Sequence, residues 1–258
     1  MFILQNFCVG TKYAVDAFSY GYVETITAYF LTHFHSDHYG GLCKSFNKPL
    51  YCTRITANLV KLKIKVSPEY IIVLTLNEPT LLEDLTTVTA IDSNHCPGAA
   101  MFLFKLKDGR FILHSGDTRA EDVVLKYDLW KTVQVDTLFL DTTYCDKKYK
   151  FPPQSQAIAA TVECVRDHLA ASNNKLLVVV GTYTIGKEKV FRAIAEEFDW
   201  KICVDATKLK VLHCLEDNAL NARLTMNKSE TPLHLIFMQS MDFQVPLMSS
   251  SFLYPPLN

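Results

Sequence analysis

No apolar run in this sequence exceeds the length of a β-strand, so no membrane-spanning helix is expected. The first ten residues are apolar but lack a basic flank and are too short for a secretory signal. The eight cysteines include no C-x-x-C pair, which argues against a zinc ribbon or a compact disulfide scaffold. They read as the reduced, packed thiols of an intracellular protein. Charge is nearly balanced, at -1, so no global basic field draws the chain to nucleic acid. Such contact would rest on local clusters such as Lys61-Leu62-Lys63-Ile64-Lys65 or Lys147-Lys148-Tyr149-Lys150, each of which equally fits a solvated face. No internal repeat or low-complexity tract is present. What remains is a chain of 258 residues, 49% of them apolar, enough to build the core of one large domain or two small ones.

Against that background, Thr32-His33-Phe34-His35-Ser36-Asp37-His38 stands out. It places three imidazoles and a carboxylate directly after an apolar, strand-like run. Neither group gains from packing there, and both are ligands that suit zinc and its neighbours. Three further strand ends supply partners. Val88 to Asp92 leads to Asn94-His95-Cys96-Pro97-Gly98, Phe111 to His114 leads to Gly116-Asp117, and Thr137 to Leu140 leads to Asp141. Strand ends are rigid platforms for chemistry. His33, His35, Asp37, His38, His95 and Asp117 are too many ligands for one tetrahedral ion. They suit two metals bridged by a shared carboxylate, with positions left open for water and substrate. His114 lies inside its apolar run and reads as a core or supporting histidine. Asp141 fits either a turn cap or a partner that orients a ligating imidazole.

Elsewhere the pattern is coarser. Ile26 to Thr32 and Met101 to Leu106 read as buried strands, with Asp108-Gly109 as a hairpin turn. Arg54 to Lys63 reads as a helix. Past Pro152-Pro153 the pattern becomes alternating α and β: a helix over Gln156 to Ala171 capped by Ser155, a strand over Leu176 to Val180 and a helix over Lys187 to Phe198. A short strand over Lys201 to Val204 and a helix from Thr207 to Leu215 follow. Gly181 to Lys187 fits the start of a phosphate-binding G-x-x-x-x-G-K loop, but Glu188 stands where Ser or Thr would hold magnesium, which argues against an NTPase. Helix amides with Lys187 and Thr182 still fit a nucleic-acid phosphate, and a plain strand-to-helix turn fits equally.

HFHSDH, NHCPGA, HSGD and LDTTYC resemble the motifs of the metallo-β-lactamase fold. With DAFSYG at Asp16 to Gly21 and GTYTIGKEKVF at Gly181 to Phe191, the chain is similar to the β-CASP DNA cross-link repair nucleases, the group containing Apollo and Artemis, and most of all to the 1A type. The resemblance implies an α/β fold: a metallo-β-lactamase αββα sandwich over residues 1–150 and a β-CASP insert over 151–245, followed by a tail over 246–258 that resembles nothing in the family. It implies that His33, His35 and His95 hold one zinc, Asp37 and His38 a second, and that Asp117 bridges. Asp141 would be the acidic residue of the first β-CASP motif. Asp37, Asp117 and Asp141 are then the expected catalytic residues, with Asp37 also accepting a proton from the water.

Two departures stand out: Thr118 where the family usually has an aromatic, and no returning Ser-Glu/Asp-His-Ser-Ser motif to complete the second metal site. The chain is therefore expected to be a truncated, alternatively spliced or mispredicted form. Its second site should be open beside Asp37 and His38, and one sheet edge should be left uncovered. The implied activity is a nuclear, monomeric 5′-to-3′ exonuclease acting on single-stranded or cross-linked DNA with a 5′-phosphate, alongside unidentified repair proteins. An inactive DNA-binding or regulatory fragment and an RNA-processing β-CASP nuclease are the alternatives.

Overall fold

Among the described residues, short runs of aromatic and branched residues build three sheets. The computed structural model describes residues 11–238 except Tyr22 and Asn174; the expected tail over 246–258 lies outside them. The first sheet is β1 (Tyr13–Val15), β2 (Ala28–Phe30), β3 (Leu50–Thr53) and β4 (Ile71–Leu74), paired in that order and all parallel. Every residue of β1 and β2 is buried, as in parallel strands covered on both faces. Helix α1 (Arg54–Leu59) covers its outer face.

The second sheet is β5 (Pro79–Leu81), β6 (Thr87–Asp92), β7 (Ala100–Lys105), β8 (Phe111–His114) and β9 (Thr137–Phe139). It is antiparallel except for β9, which runs parallel to β8. The period-two rule divides β7: Phe102 and Phe104 face the first sheet, while Met101 and Leu103 face outward under α2 (Asp122–Leu125) and Trp130. Phe30 lies at the centre of the sandwich, its ring 4.8 Å from Tyr51, 5.0 Å from Phe104 and 5.4 Å from Phe102. Among the described residues β9 is an edge strand, and Leu138 within it and Leu140 just past it are exposed.

The third sheet is built C-terminal to α3 (Gln154–Ala171). Its strands are β10 (Val178–Thr182), β11 (Ile202–Cys203), β12 (Leu224–Thr225) and β13 (Leu233–Phe237), parallel in the order β10-β13-β11-β12. Helices α4 (Glu188–Glu197), α5 (Ala206–His213) and α6 (Asn218–Asn221) connect them. Val162, Ile185, Phe191 and Ile194 join the apolar cluster that covers the first sheet, so the two regions share a core.

Two expectations fail locally. The helix expected over Arg54 to Lys63 keeps its α form only to Leu59; Val60–Ile64 widen into a π-helical turn ended by Lys65 at φ 66°. Ser155 does not cap α3. The helix starts at Gln154 with Pro153 in the cap position, because the proline ring already fixes the entry backbone.

Candidate metal centre

Four strand ends deliver the site. Past β2, the fully buried Leu31 and Phe34 anchor the loop on either side of Thr32 and His33. Thr32 is clamped by Asp16, donating its amide to Oδ1 at 2.8 Å and its hydroxyl to Oδ2 at 2.6 Å. The amides of His38 and Tyr39 both donate to the His35 carbonyl at 3.1 Å. That tight turn folds His38 back until its ring centre is 4.1 Å from that of His33.

Past β6, the turn carrying His95 is fastened to the start of α1. The Gly98 carbonyl accepts the hydroxyls of Thr53 at 2.6 Å and Thr56 at 3.0 Å. A Cβ at Gly98 would stand 2.8 Å from the Ile55 side chain, and its φ of +80° disfavours other residues as well. Past β8, Gly116 at φ +53° approaches Thr32 so closely that a Cβ would meet it at 2.8 Å; the next residue is Asp117. Past β9, the Asp141 amide donates to Ser115 Oγ at 2.8 Å and its carboxylate accepts from the Thr118 amide at 3.2 Å.

The side chains converge. His35 Nδ1 lies 2.9 Å from His33 Nε2 and 3.1 Å from His95 Nε2. Asp117 reaches His95 Nε2 at 3.4 Å and His33 Nε2 at 3.8 Å with one oxygen, and His38 Nε2 at 3.2 Å with the other. Two overlapping donor groups result: His33, His35, His95 and Cys96, and His33, His38 and Asp117. A tetrahedral zinc with Zn–N bonds of about 2.0–2.1 Å has ligand atoms about 3.3 Å apart, so the donor spacing fits an ion. Five expected ligands thus come together. Asp37 stands outside both groups, its side chain 78% exposed and 3.7 Å from His38 Nε2.

No family model matches the chain. Over 235 residues, 91% of its length, it is 48% identical to the DNA cross-link repair 1A protein of Gallus gallus, covering 24% of that protein. The human DNA cross-link repair 1A protein is 45% identical over the same number of residues, 22% of its length. The 5′ exonuclease Apollo of Gallus gallus is 34% identical over 207 residues, 80% of this chain and 44% of that protein. The chain belongs with the DNA cross-link repair proteins. It spans about a quarter of the length of the 1A relatives it matches.

Electrostatics separates the two donor groups. Burial first, then the neighbouring rings of His38, His35 and His95, hold His33 far below the usual imidazole range. Burial lowers His35 and His95 too. These three rings therefore offer neutral lone pairs near pH 7. His38 differs: burial opposes its charge, but the Asp117 and Asp16 carboxylates outweigh it and raise the ring to about 10. In turn the His38 bond pulls Asp117 down to about 2. An ion entering the second group must displace the His38 proton, whereas the three imidazoles of the first group hold none to lose; the Cys96 thiol, held protonated by burial, stands apart from them. Affinity at the second group should therefore rise about tenfold per pH unit from pH 6 to 8, while that of an ion held by the three imidazoles alone stays flat. Chelator competition across that range measures both; identical slopes would refute the distinction.

Several contributors escaped the sequence reading. Asp16 accepts His38 Nδ1 at 2.7 Å, which turns Nε2 toward Asp117. Cys96 joins the first group. His35 hydrogen-bonds the Ile185 backbone, and its Nε2 lies 3.9 Å from where a Cβ on Gly186 would be. The loop opening α4 thus leans on a ring of the site. Glu188 is buried in the wall of the cleft beside the site: its carboxylate accepts the Gly186 amide at 2.9 Å, and burial raises its pKa. Lys208, also buried, donates to the carbonyls of Tyr183 at 2.8 Å and Thr184 at 3.0 Å.

Thr182 is a correction. It is buried and donates its hydroxyl to the Ile236 carbonyl at 3.3 Å, so only Lys187 of the two expected phosphate contacts is exposed. Lys187 lines a cleft of about 720 Å³ that reaches His95 and Cys96 and is also bordered by Arg54, Lys189 and Gln154. His114 belongs to neither donor group; it accepts the Gly116 amide and stacks on Phe139.

Proposed function

We propose that this chain carries the catalytic region of a metal-dependent DNA phosphodiesterase, a 5′-to-3′ exonuclease of interstrand cross-link repair acting in the nucleus. The observation that carries this is the meeting of three neutral imidazoles with the Asp117 carboxylate at the rim of a cleft edged by Arg54, Lys187 and Lys189. On this reading the first two sheets, residues 1–150, are a metallo-β-lactamase unit and residues 151–245 a β-CASP insert. The names of the relatives support a DNA repair nuclease.

Zinc suits the donor set, and one or two such ions would supply a Lewis acid and an activated water. The chain's own residues do the rest. Asp16 and Asp117 hold His38 between them. Asp141 braces the loop through Thr118 and Ser115. Lys187 and Arg54 attract the phosphate backbone along the cleft. Exposed and beside the site, Asp37 is placed to accept a proton from water.

A second reading, a binding or regulatory module without nuclease activity, is favoured by one observation: Asp37 lies outside both donor groups. Metal analysis and digestion of a labelled 5′-phosphorylated single strand by residues 1–258 separate the two. Metal-dependent shortening from the 5′ end supports the nuclease. Tight strand binding with no cleavage, with metal bound, supports the module, and RNA digested in preference to DNA refutes the substrate assignment.

A further inference from the structure

Between Asp141 and α3 the chain crosses the surface as Tyr144-Cys145-Asp146-Lys147-Lys148-Tyr149-Lys150-Phe151. Three of its side chains are aromatic and should be hidden if packing alone governed them. Tyr144 is 62% exposed, Tyr149 42% and Phe151 65%. They gather on one another: Tyr144 meets Phe151 edge-on at 5.0 Å and Tyr149 at 5.2 Å, and Tyr149 and Phe151 lie nearly parallel, 13° apart, at 6.1 Å. No core cluster includes them.

Charge surrounds this aromatic group. Lys147, Lys148 and Lys150 interleave with it against a single Asp146. Lys148 Nζ sits 4.9 Å from the centre of the Tyr149 ring and 3.3 Å from Asp146. All three lysines are exposed. Both ends of the segment are fixed at the site. Tyr144 follows three residues after Asp141, whose charge acts on the His95 ring. Phe151 precedes by three residues Gln154, which lines the cleft and accepts Lys189 Nζ at 3.0 Å. Three residues reach at most about 11 Å, so the patch adjoins the mouth of the cleft.

We infer that Tyr144, Tyr149 and Phe151 form a stacking platform for unpaired bases of a single DNA strand, with Lys147, Lys148 and Lys150 holding its phosphates. This rests on the nucleic-acid reading above and extends it to how the strand is gripped. Exposed aromatic rings offer a face to any base, and interleaved lysines track the backbone; together they bind single strands without sequence preference. A duplex keeps its bases stacked inside and gains only the lysine contacts.

Fluorescence anisotropy with a 5′-phosphorylated, phosphorothioate single strand tests this on the whole chain. Tyr144→Ala, Tyr149→Ala and Phe151→Ala should each weaken binding about fivefold or more. The dependence of affinity on salt should not change, since no charge is removed. Lys147→Gln, Lys148→Gln and Lys150→Gln combined should flatten that dependence by about 2, at about 0.7 per phosphate contact on a single strand. An abasic strand should bind parent and alanine variants alike. A variant that misfolds would lose both strands together, and that result counts against the platform.

Failure of the parent to bind any single strand overturns both the nuclease reading and the platform. Binding that the alanine variants leave unchanged overturns the platform alone. A self-association that the same variants abolish, with DNA affinity intact, assigns the patch to a second copy of the chain and overturns it too.

Discussion

His33→Ala should remove metal from both donor groups at once. His33 is the residue common to them, fully buried, with Nε2 2.9 Å from His35 and 3.8 Å from Asp117. Altering a residue that merely orients a ligand costs about 10–100-fold in metal affinity, and loss of a shared ligand should exceed that for each ion. Cavity formation is a second effect, so His33→Asn, which keeps more of the volume, serves beside it. Elemental analysis after gel filtration gives the answer, with circular dichroism to confirm folding. A folded variant holding as much metal as the parent would show that the two groups are not ion sites.

Lys208→Met should have the second large effect, on stability rather than metal alone. The ammonium is 3% exposed and is tied to two loop carbonyls. Burial lowers its pKa while the Glu188 and Asp205 carboxylates oppose that shift. Removing the ammonium leaves those buried carbonyls without their donor, at about 1–3 kcal/mol. Urea unfolding should show that loss. Lys208→Met combined with Glu188→Gln should recover a smaller part, since the Glu188 charge that the ammonium offsets is then gone. A single variant as stable as the parent would show that the loop does not depend on Lys208.

How much of this was legible in the sequence follows the distance between partners. His33, His35 and His38 are close in sequence and follow an apolar run, so their convergence could be read directly. His95 and Asp117 were readable because each follows a strand run and a glycine fixes the turn. Asp16 carries no such local mark: its partners are Thr32 and His38, and only pairing of β1 with β2 brings them together. Thr182 was misjudged by a shift of two residues. The strand expected to stop at Val180 pairs with β13 through Thr182, which leaves that side chain inside the sheet. Glu188 was read only through the motif position it fails to match, whereas its carboxylate closes on the Gly186 amide two residues back along its own backbone.

The bond between His35 and the Ile185 backbone joins the first two sheets to the third. A bound ion fixes the ring on one side, and the ring fixes the loop on the other, so ion occupancy and the seam between the two regions are thermodynamically linked. At a free ion concentration 100 times the dissociation constant, that occupancy adds about 2.7 kcal/mol to the folded state. Metal withdrawal should therefore weaken the contact between the two regions as well as the site, and limited proteolysis with and without chelator would read that change.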